Sequence, residues 1–305
     1  MIMKSLRFII IFLVLTLFLV FSPACAKEEP AIEELAVEEK LEEQAEELIE
    51  ETTDNETLRP IRILRTEKSY YQSGIFIDKN DELVFDILKS FHLAFFFNPS
   101  IKNSLALGGA TYAFPLDYLK KYPRAKIDVV EIDPQITQAA QKYFNLKEDS
   151  RLNIYHQDGR FFINTTKNKY DAIFVDAFKT RFTPTQLTTL EFIEKSYQTL
   201  NKNGVILVNI VSSLEKKGSK FLEAEYLTYK KIFPQVYLFA LGTKNKNQIQ
   251  NILLVAIKSD KKIELKGDDK KFSEYLSKNI EIHPAKNTPI LTDDFSPTDQ
   301  YLADL

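Results

Sequence analysis

The sequence predicts an α/β fold with a mainly parallel, seven-stranded sheet, and three observations lead to this prediction. Seven short runs rich in apolar residues recur between positions 104 and 257. Segments with helical periodicity separate most of these runs. The last two runs are joined only by a short polar link, residues 242–250. Strands that are apolar on both faces and alternate with helices are typical of a parallel sheet covered on both sides.

Each element is predicted from its own stretch of sequence. The strand runs are residues 104–107, 127–132, 152–155, 172–175, 205–210, 236–241 and 252–257, and helical periodicity is found in residues 115–121, 134–144, 186–200 and 220–233. The link between the last two strands is too short for a crossover helix, so they are expected to form an antiparallel edge hairpin. This is the arrangement of a class I methyltransferase-like Rossmann fold. Residues 62–64 and 70–77 predict a small N-terminal β element, and residues 271–278 a short helix.

The N-terminal segment differs from the rest in charge and hydropathy. The chain has 305 residues and a formal net charge of −3, which divides into +3 for residues 1–27, −13 for residues 28–56 and +7 for the remainder. Lys4 and Arg7 precede an apolar run at residues 8–21. As a helix this run would span about 21 Å, short of the roughly 30 Å hydrocarbon core of a bilayer. It indicates a secretory signal with an A-x-A cleavage pattern at residues 24–26. The alternatives are a lipoprotein signal lipidated at Cys25 and an uncleaved membrane anchor.

All three interpretations place the body outside the cytoplasm, because the basic residues precede the apolar run. The expected localisation is membrane-associated, through this N-terminal signal or anchor. The expected division is a signal or anchor at residues 1–26, an acidic helical or disordered tether at 27–58, a β element with a lead-in helix at 59–103, and a Rossmann-like domain at 104–305. Cys25 is the one cysteine of the chain, so the body has neither a disulfide nor a catalytic thiol.

Two glycines follow the first predicted strand and an acidic residue follows the second. Gly108 and Gly109 would let the backbone turn close to a ligand, and Glu131 comes 23 residues after Gly108. An acidic residue at this distance is placed to accept both hydroxyls of a ribose. The alternative is a plain helix start, in which Asp133 caps the helix and Pro134 occupies its first turn. The two interpretations are compatible, because they use different carboxylates.

Two further carboxylates follow the third and fourth strands. Asp158, before Gly159, could accept the exocyclic amine of an adenine or could cap the next helix. Asp176 ends a strongly apolar strand, where a carboxylate is costly unless it has a partner or a task. The sequence therefore predicts Asp176 as a general base.

These residues lie in a series of longer motifs. The motifs are LALGGATYAFP at 105–115, VVEIDPQITQAAQKYF at 129–144, RLNIYHQDGRFF at 151–162, YDAIFVDAF at 170–178, LTTLEFIEKSYQTLNKNGVILVNI at 187–210 and LTDDFSPTDQYL at 291–302. In order and spacing they resemble the polyamine aminopropyltransferases, the spermidine and spermine synthases. The resemblance is greatest to the membrane-linked bacterial branch of fused spermidine synthases.

The resemblance implies aminopropyl transfer from decarboxylated S-adenosylmethionine to a small-molecule amine. Glu131 would bind the donor ribose, Asp158 and Gly159 its adenine, and Asp176 would accept the proton. Gln72 matches either a donor-binding glutamine or one in the second N-terminal hairpin. A homodimer is implied as well. No metal is expected, since His156 and His283 lack metal-ligand spacing, and no nucleic acid, since the loop lysines lack interleaved aromatic residues.

Three positions depart from the family pattern. An amine-binding aspartate of the family falls on Thr111, a second carboxylate near the catalytic one falls on Lys179, and a histidine falls on Ile87 if His92 is aligned with the next family histidine. His92 lies among phenylalanines and is expected to be a packed core residue. These departures leave two alternatives open: a methyltransferase that uses intact S-adenosylmethionine, and a noncatalytic nucleoside-binding or scaffold protein.

Overall fold

A small antiparallel sheet opens the part of the chain that our computed structural model describes, namely residues 48–67, 70–78, 82–178, 183–215, 217–243, 245–266 and 270–303. Its strands are β1 (Ile49–Thr53), β2 (Pro60–Glu67) and β3 (Tyr70–Phe76), in the order β1-β2-β3. Strand β1 corrects the expected tether, which was to extend to residue 58. Ile49 pairs with Leu64 in the ladder, and Leu48 and Ile49 pack against the main core. Tertiary packing therefore outweighs the helical propensity of this glutamate-rich segment, and the segment forms a strand.

Short helical segments lead from this sheet into the large one. They are α1 (Asp86–Ser90), a 3-10 turn (Phe91–Leu93) and α2 (Ala94–Phe97). Phe91 and Leu93 are almost completely buried, which anchors the lead-in segment on one face of the sheet that follows.

The large sheet contains eight strands in the order β11-β9-β10-β8-β7-β4-β5-β6. Their bounds are β4 (Asn103–Leu107), β5 (Lys126–Glu131), β6 (Leu152–His156), β7 (Tyr170–Val175), β8 (Leu200–Ser212), β9 (Gln235–Ala240), β10 (Gln250–Ile257) and β11 (Asn279–Ile280). The pairs β6–β5, β5–β4, β4–β7 and β7–β8 are all parallel. The β9–β10 hairpin joins β8 in antiparallel pairing, as predicted. Within this sheet, the sequence pattern did not predict the two-residue β11, because so short a run has no periodicity.

Helices and 3-10 turns cover both faces of the sheet. They are α3 (Ala113–Lys121), α4 (Pro134–Tyr143), α5 (Gly159–Thr165), a 3-10 turn (Thr185–Leu187), α6 (Leu190–Thr199), a second 3-10 turn (Lys217–Ser219), α7 (Lys220–Ile232), α8 (Lys270–Leu276) and α9 (Thr298–Ala303). Alternate strand residues enter opposite cores: Ala106 belongs to one cluster, and Leu105 and Leu107 belong to the other. This two-sided burial explains the continuous apolar runs in the sequence.

The strand order reverses at β4. From β4 the chain continues through β5 and β6 on one side, and then returns to add β7 and β8 on the other. At such a reversal, the loops at the carboxyl ends of two neighbouring parallel strands diverge and leave a crevice, which is where open α/β sheets bind ligands.

The expected membrane localisation is not upheld. Within the described ranges, no helix is both long and apolar enough to cross a bilayer. The predicted signal or anchor at residues 1–26, including Cys25, lies outside the described residues, and the membrane-associated placement drawn from it is corrected accordingly.

Candidate active site

The crevice at the strand reversal holds a cavity of about 760 Å³. Among the residues predicted from the sequence, six line it: Gln72, Gly108, Glu131, Asp158, Gly159 and Asp176. Gly109 lines a smaller adjoining cavity instead. The fold therefore brings Gln72 of the N-terminal sheet close to Asp176 in the loop after β7, although the two are far apart in sequence.

Gly108 brings the loop after β4 close to the loop after β7. Its φ is +100°, and a Cβ atom built on it would lie 2.3 Å from the carbonyl oxygen of Asp176. Its N–H donates to the carbonyl of Val130 (2.9 Å). A side chain at this position would force the loops after β4 and β7 apart, so the glycine is needed for sterics as well as for its dihedral angle.

The Glu131 carboxylate holds the loops after β4 and β5 together. One oxygen, Oε2, accepts hydrogen bonds from the backbone N–H of Gly109 (2.9 Å) and of Ala110 (3.3 Å). The other, Oε1, accepts from the N–H of Asp133 (3.1 Å). Each carboxylate oxygen has two lone pairs, so Oε1 retains acceptor capacity at the cavity wall. A second buried acceptor there is Oε1 of Gln72, for which the structure gives no partner among the described residues.

The two predicted helix caps are present. Asp133 accepts from the N–H of Gln135 (2.9 Å), with Pro134 in the first turn of α4. Asp158 caps α5 by accepting from the N–H of Phe161 (2.9 Å), and its Oδ2 lies 3.4 Å from Nε2 of Gln186. Because capping uses only Oδ1, Asp158 also presents an oxygen to the cavity.

Asp176 is held at the end of β7 by a chain of polar groups. Its backbone N–H donates to the carbonyl of Leu107 (3.0 Å). Nδ2 of Asn209 donates to its carboxylate (2.8 Å), and Nδ2 of Asn251 donates to Oδ1 of Asn209 (2.9 Å). Burial raises the pKa of the Asp176 carboxyl from its ordinary 3.8 to about 6, and the hydrogen bond from Asn209 opposes this rise. The group is thus ionised at neutral pH yet poised to take a proton.

Sequence reasoning missed several residues that contribute to the site. Asn209 interrupts the apolar run of β8, and a polar residue in a central strand was a signal that could have been used. Ile132 lines the cavity with 66% of its surface exposed and offers an apolar face to a planar ligand. Gln186 and Asp299 also line it, and nothing in their local pattern marked them.

The described positions that depart from the family pattern are not among the residues that line the large cavity. Thr111 is fully buried, and its hydroxyl is 2.7 Å from that of Ser73. His92 is a packed residue, as predicted: it is 6% exposed, and its Nε2 lies 2.7 Å from Oδ2 of the buried Asp117. Ile87 is buried too. Lys179 lies outside the described residues.

Comparison with known proteins gives one family match and a group of relatives. The profile of the family described as "Spermine/spermidine synthase domain" matches residues 89–266. A polyamine aminopropyltransferase of Vibrio vulnificus (strain CMCP6) is 28% identical over 214 residues, which cover 66% of this chain and 70% of that protein. One from Alkaliphilus metalliredigens (strain QYMF) is 26% identical over 170 residues, or 54% of this chain and 59% of that protein. A probable polyamine aminopropyl transferase of Bifidobacterium longum (strain NCC 2705) is 36% identical over 115 residues, 38% of this chain and 25% of that protein. The match thus spans less than two thirds of the latter two relatives.

Solved structures show the same fold. A probable spermidine synthase from Corynebacterium glutamicum ATCC 13032 superposes with a TM-score of 0.66 at 18% identity, covering 81% of this chain and 94% of that one. A spermidine synthase in complex with the transition-state analogue AdoDATO gives a TM-score of 0.50 at 18% identity, covering 78% and 80%. At this level of identity the likeness concerns architecture, and it agrees with the predicted Rossmann-like sheet and its antiparallel edge.

Proposed function

The chain belongs to the spermine/spermidine synthase family, and from this we propose that its crevice catalyses aminopropyl transfer with Asp176 as the proton acceptor. The family's chemistry is the transfer of an aminopropyl group to a small-molecule amine in polyamine biosynthesis. An S-adenosyl-type ligand is the donor class. We assign the decarboxylated form, decarboxylated S-adenosylmethionine, to this protein as part of the proposal.

The observation that carries the proposal is the position of Asp176 within the cavity. Its carboxylate is at the carboxyl end of β7, in the same cavity as Glu131 and Asp158. Glu131 and Asp158 are suited to the two ends of a nucleoside, and Asp176 has no nucleoside group to bind in this arrangement. A half-buried carboxylate with a raised pKa, held by an amide and facing a ligand cavity, suits proton transfer.

The proposed donor-binding position rests on two carboxylate oxygens that can accept further hydrogen bonds. Oε1 of Glu131 already accepts one backbone N–H and can accept a ribose hydroxyl as well. Oδ2 of Asp158 can accept the exocyclic amine of an adenine, in place of its long contact with Gln186. Ile132 would lie against the base. We therefore propose that the nucleoside lies across the ends of β5 and β6, with its sulfur end directed to Asp176.

Asp176 performs the step that the acceptor needs. An alkylammonium has a pKa near 10.4 and no free lone pair, so it must lose a proton before it attacks carbon. The carboxylate orients the ammonium and accepts that proton. The nitrogen then bonds to the methylene beside the sulfonium, and the carbon–sulfur bond breaks with its electron pair passing to sulfur. Asn209 keeps the carboxylate oriented throughout.

A comparison of binding with turnover tests this role. We expect Asp176→Asn to bind decarboxylated S-adenosylmethionine or methylthioadenosine with nearly unchanged affinity in calorimetry, because the amide is of similar shape. Its kcat should fall by at least about 100-fold, the lower bound typical of a lost general base. Asp260→Asn, at an exposed loop position, makes the same charge change and should leave both quantities unaltered. Absence of heat with either nucleoside would refute the proposal.

The preferred donor distinguishes the methyltransferase alternative from aminopropyl transfer. The two donors differ in one carboxylate, so parallel titrations with decarboxylated and intact S-adenosylmethionine distinguish them. We expect tighter binding of the decarboxylated form, because the described carboxylates of the cavity repel an additional negative charge. A noncatalytic protein would bind nucleoside without turnover of any amine.

The homodimer implied by family membership is part of the same proposal. Light scattering of the purified protein at several concentrations measures the assembly state directly. A mass of one chain at all concentrations would contradict the dimer.

A further inference from the structure

Two asparagines connect the Asp176 carboxylate to the β9–β10 hairpin. Asn209 is in β8 and is 5% exposed, and Asn251 is the second residue of β10. Nδ2 of Asn209 donates to Oδ1 of Asp176 (2.8 Å), and Nδ2 of Asn251 donates to Oδ1 of Asn209 (2.9 Å). A residue of the hairpin is thus linked to the proton acceptor through one intermediate side chain.

The pairing of β10 with β8 places the two asparagines side by side. Asn209 is opposite Leu253 in the ladder, and Asn251 is opposite Val211. The two asparagines are therefore diagonal neighbours on one face of the sheet, because residues two apart on a strand share a face. The carbonyl of Asn251 also accepts from the N–H of Leu241, directly after β9 (3.0 Å). Pairing on both sides fixes the position from which Asn251 donates.

The direction of the two hydrogen bonds depends on the charge of Asp176. An ionised carboxylate only accepts hydrogen bonds, whereas a primary amide donates through its nitrogen and accepts through its oxygen. Asn209 therefore turns its nitrogen to Asp176, and its buried oxygen then needs a donor. Asn251 supplies that donor. A group at position 251 that only accepted would favour the opposite orientation of the Asn209 amide, with its oxygen toward the carboxylate.

Building on the proposed function, we propose that Asn251 is a positioning residue, which holds the Asn209 amide with its nitrogen toward Asp176. In this orientation the amide stabilises the carboxylate in its ionised, proton-accepting form. Asn251 acts through Asn209, since its own side chain donates to the amide oxygen. The β9–β10 hairpin thereby takes part in the site, although Asn251 is not among the residues that line the large cavity.

The ionisation of Asp176 is sensitive to this one amide. Burial raises the pKa of the carboxyl, and the hydrogen bond from Asn209 lowers it. The other ionisable groups described in the cavity wall do not contribute to this pKa shift; they are Glu131, Asp158 and Asp299. A change in the orientation of Asn209 should therefore appear as a change in the titration of Asp176.

Two replacements of similar size at position 251 test the inference. Carbon-13 NMR of the full chain, labelled at its aspartate carboxyl carbons, follows the titration of Asp176, whose signal is identified by its absence in Asp176→Asn. Asn251→Asp leaves the Asn209 amide between two acceptors, so it can donate to only one of them. We expect the midpoint of Asp176 to rise by at least about one pH unit, a tenfold gain in proton affinity. Asn251→Leu removes the donor without adding charge and should give a smaller rise.

A double-mutant cycle separates orientation from simple repulsion by the added charge. With Asn209→Leu in place, Asn251→Asp should no longer shift the midpoint. A shift that keeps more than half its size in that background would overturn the inference, and so would the absence of a shift in Asn251→Asp. Asn247→Asp, in the exposed loop of the same hairpin, makes the same charge change and should leave the midpoint unaltered. If Asn251→Asp does not fold, an unshifted midpoint in Asn251→Leu overturns the inference.

Kinetics separate a failure of this inference from a failure of the proposed function. The acidic limb of kcat/KM against pH reports the essential base of the free enzyme, here with decarboxylated S-adenosylmethionine and 1,4-diaminobutane. Asn251→Asp should move this limb and the NMR midpoint by the same amount. An NMR shift with an unmoved limb, or no turnover at all, would count against Asp176 as the base and leave its positioning by Asn251 intact. A limb at the unmodified midpoint together with an unmoved NMR titration would refute the positioning role alone.

Discussion

The raised pKa of Asp176 makes the stability of the fold depend on pH. A carboxyl group whose pKa is raised by folding, here from 3.8 to about 6, binds its proton more tightly in the folded state than in the unfolded state. As pH rises from about 4 to 6, the unfolded chain therefore loses this proton first, and the free energy of unfolding falls. At pH 7 the cost is roughly 2–3 kcal/mol, because a tenfold change in proton affinity corresponds to about 1.36 kcal/mol. Such a cost is typical of a residue retained for function.

Replacement of this carboxyl should therefore stabilise the fold. We expect Asp176→Asn to raise the free energy of unfolding at pH 7 by up to about 2–3 kcal/mol, since the amide oxygen can still accept from Asn209. The gain should disappear below about pH 4, where both states of the unmodified protein are protonated. Denaturant unfolding at pH 4 and pH 7 measures the difference, with Asp260→Asn as the control of equal charge change. An equal effect at both pH values would contradict the raised pKa.

The sequence predicted most of the ionisable residues of the site but not the groups that position them. Glu131, Asp158 and Asp176 follow apolar strands, and a carboxylate at a strand end is visible in the sequence. The role of Asn251 could not be predicted from the sequence, because its contact with Asn209 depends on antiparallel pairing between β10 and β8. Long-range register is what local patterns do not specify.

Among the elements, the segment 291–303 shows how the C-terminus contributes to the cavity. Asp299 of α9 lines the cavity, and Asp293 anchors the segment. The Asp293 carboxylate pairs with Arg160 (2.7 Å) and accepts from the hydroxyl of Thr189 (2.6 Å). Arg160 also donates to the carbonyl of Gln186 (3.1 Å), and Gln186 is another residue of the cavity wall. One arginine thus joins α5, the loop before α6 and the C-terminal segment.

Loss of the Asp293 anchor should loosen that wall. We expect Asp293→Asn to weaken nucleoside binding by roughly three- to thirtyfold, corresponding to about 0.7–2 kcal/mol for a partly exposed charged hydrogen-bond network. Because Asp176 is held by Asn209 and by the carbonyl of Leu107, and not by the Asp293 anchor, kcat at saturating substrates should change less than binding does. Asp294→Asn is the matched control, since it removes the same charge from the adjacent exposed position. Calorimetry and steady-state kinetics together measure the two effects, and equal weakening in both variants would exclude a specific role of Asp293.

The elements that the sequence predicted best are those with strong local periodicity. The strands of the parallel sheet have continuous apolar runs because both of their faces are buried. Strand β1 has no such run: its residues are half-buried or exposed, and Glu50 and Glu51 fit a solvated helix equally well. Only its pairing with β2 makes it a strand, and pairing is a tertiary property.

At the scale of the whole molecule, the cavity joins distant parts of the fold. Its wall extends from Gln72 in β3 to Asp299 in α9 and includes the ends of β4, β5 and β7. The resemblance to a family supplied this arrangement in outline, through the order of strands and loops. The resemblance left Gln72 of the N-terminal sheet between two matches, one of them donor-binding, and the structure places it in the cavity wall. The closeness of the C-terminal helix to the same cavity required the three-dimensional structure, because this helix is outside the Rossmann pattern.

A ligand in this cavity should therefore stabilise the described fold as one unit. At 100 times its dissociation constant, methylthioadenosine is expected to add about 2.7 kcal/mol to the free energy of unfolding. For a fold of this size, that is a rise of roughly 5–11 °C in Tm at about 2–4 °C for each kcal/mol. A single transition should shift in both circular dichroism and tyrosine fluorescence, because residues of both sheets line the cavity. Methylthioinosine, which lacks the exocyclic amine that Asp158 would accept, should give a smaller shift at the same concentration. A transition that splits, with one part unmoved by ligand, would show that the N-terminal sheet does not contribute to the site.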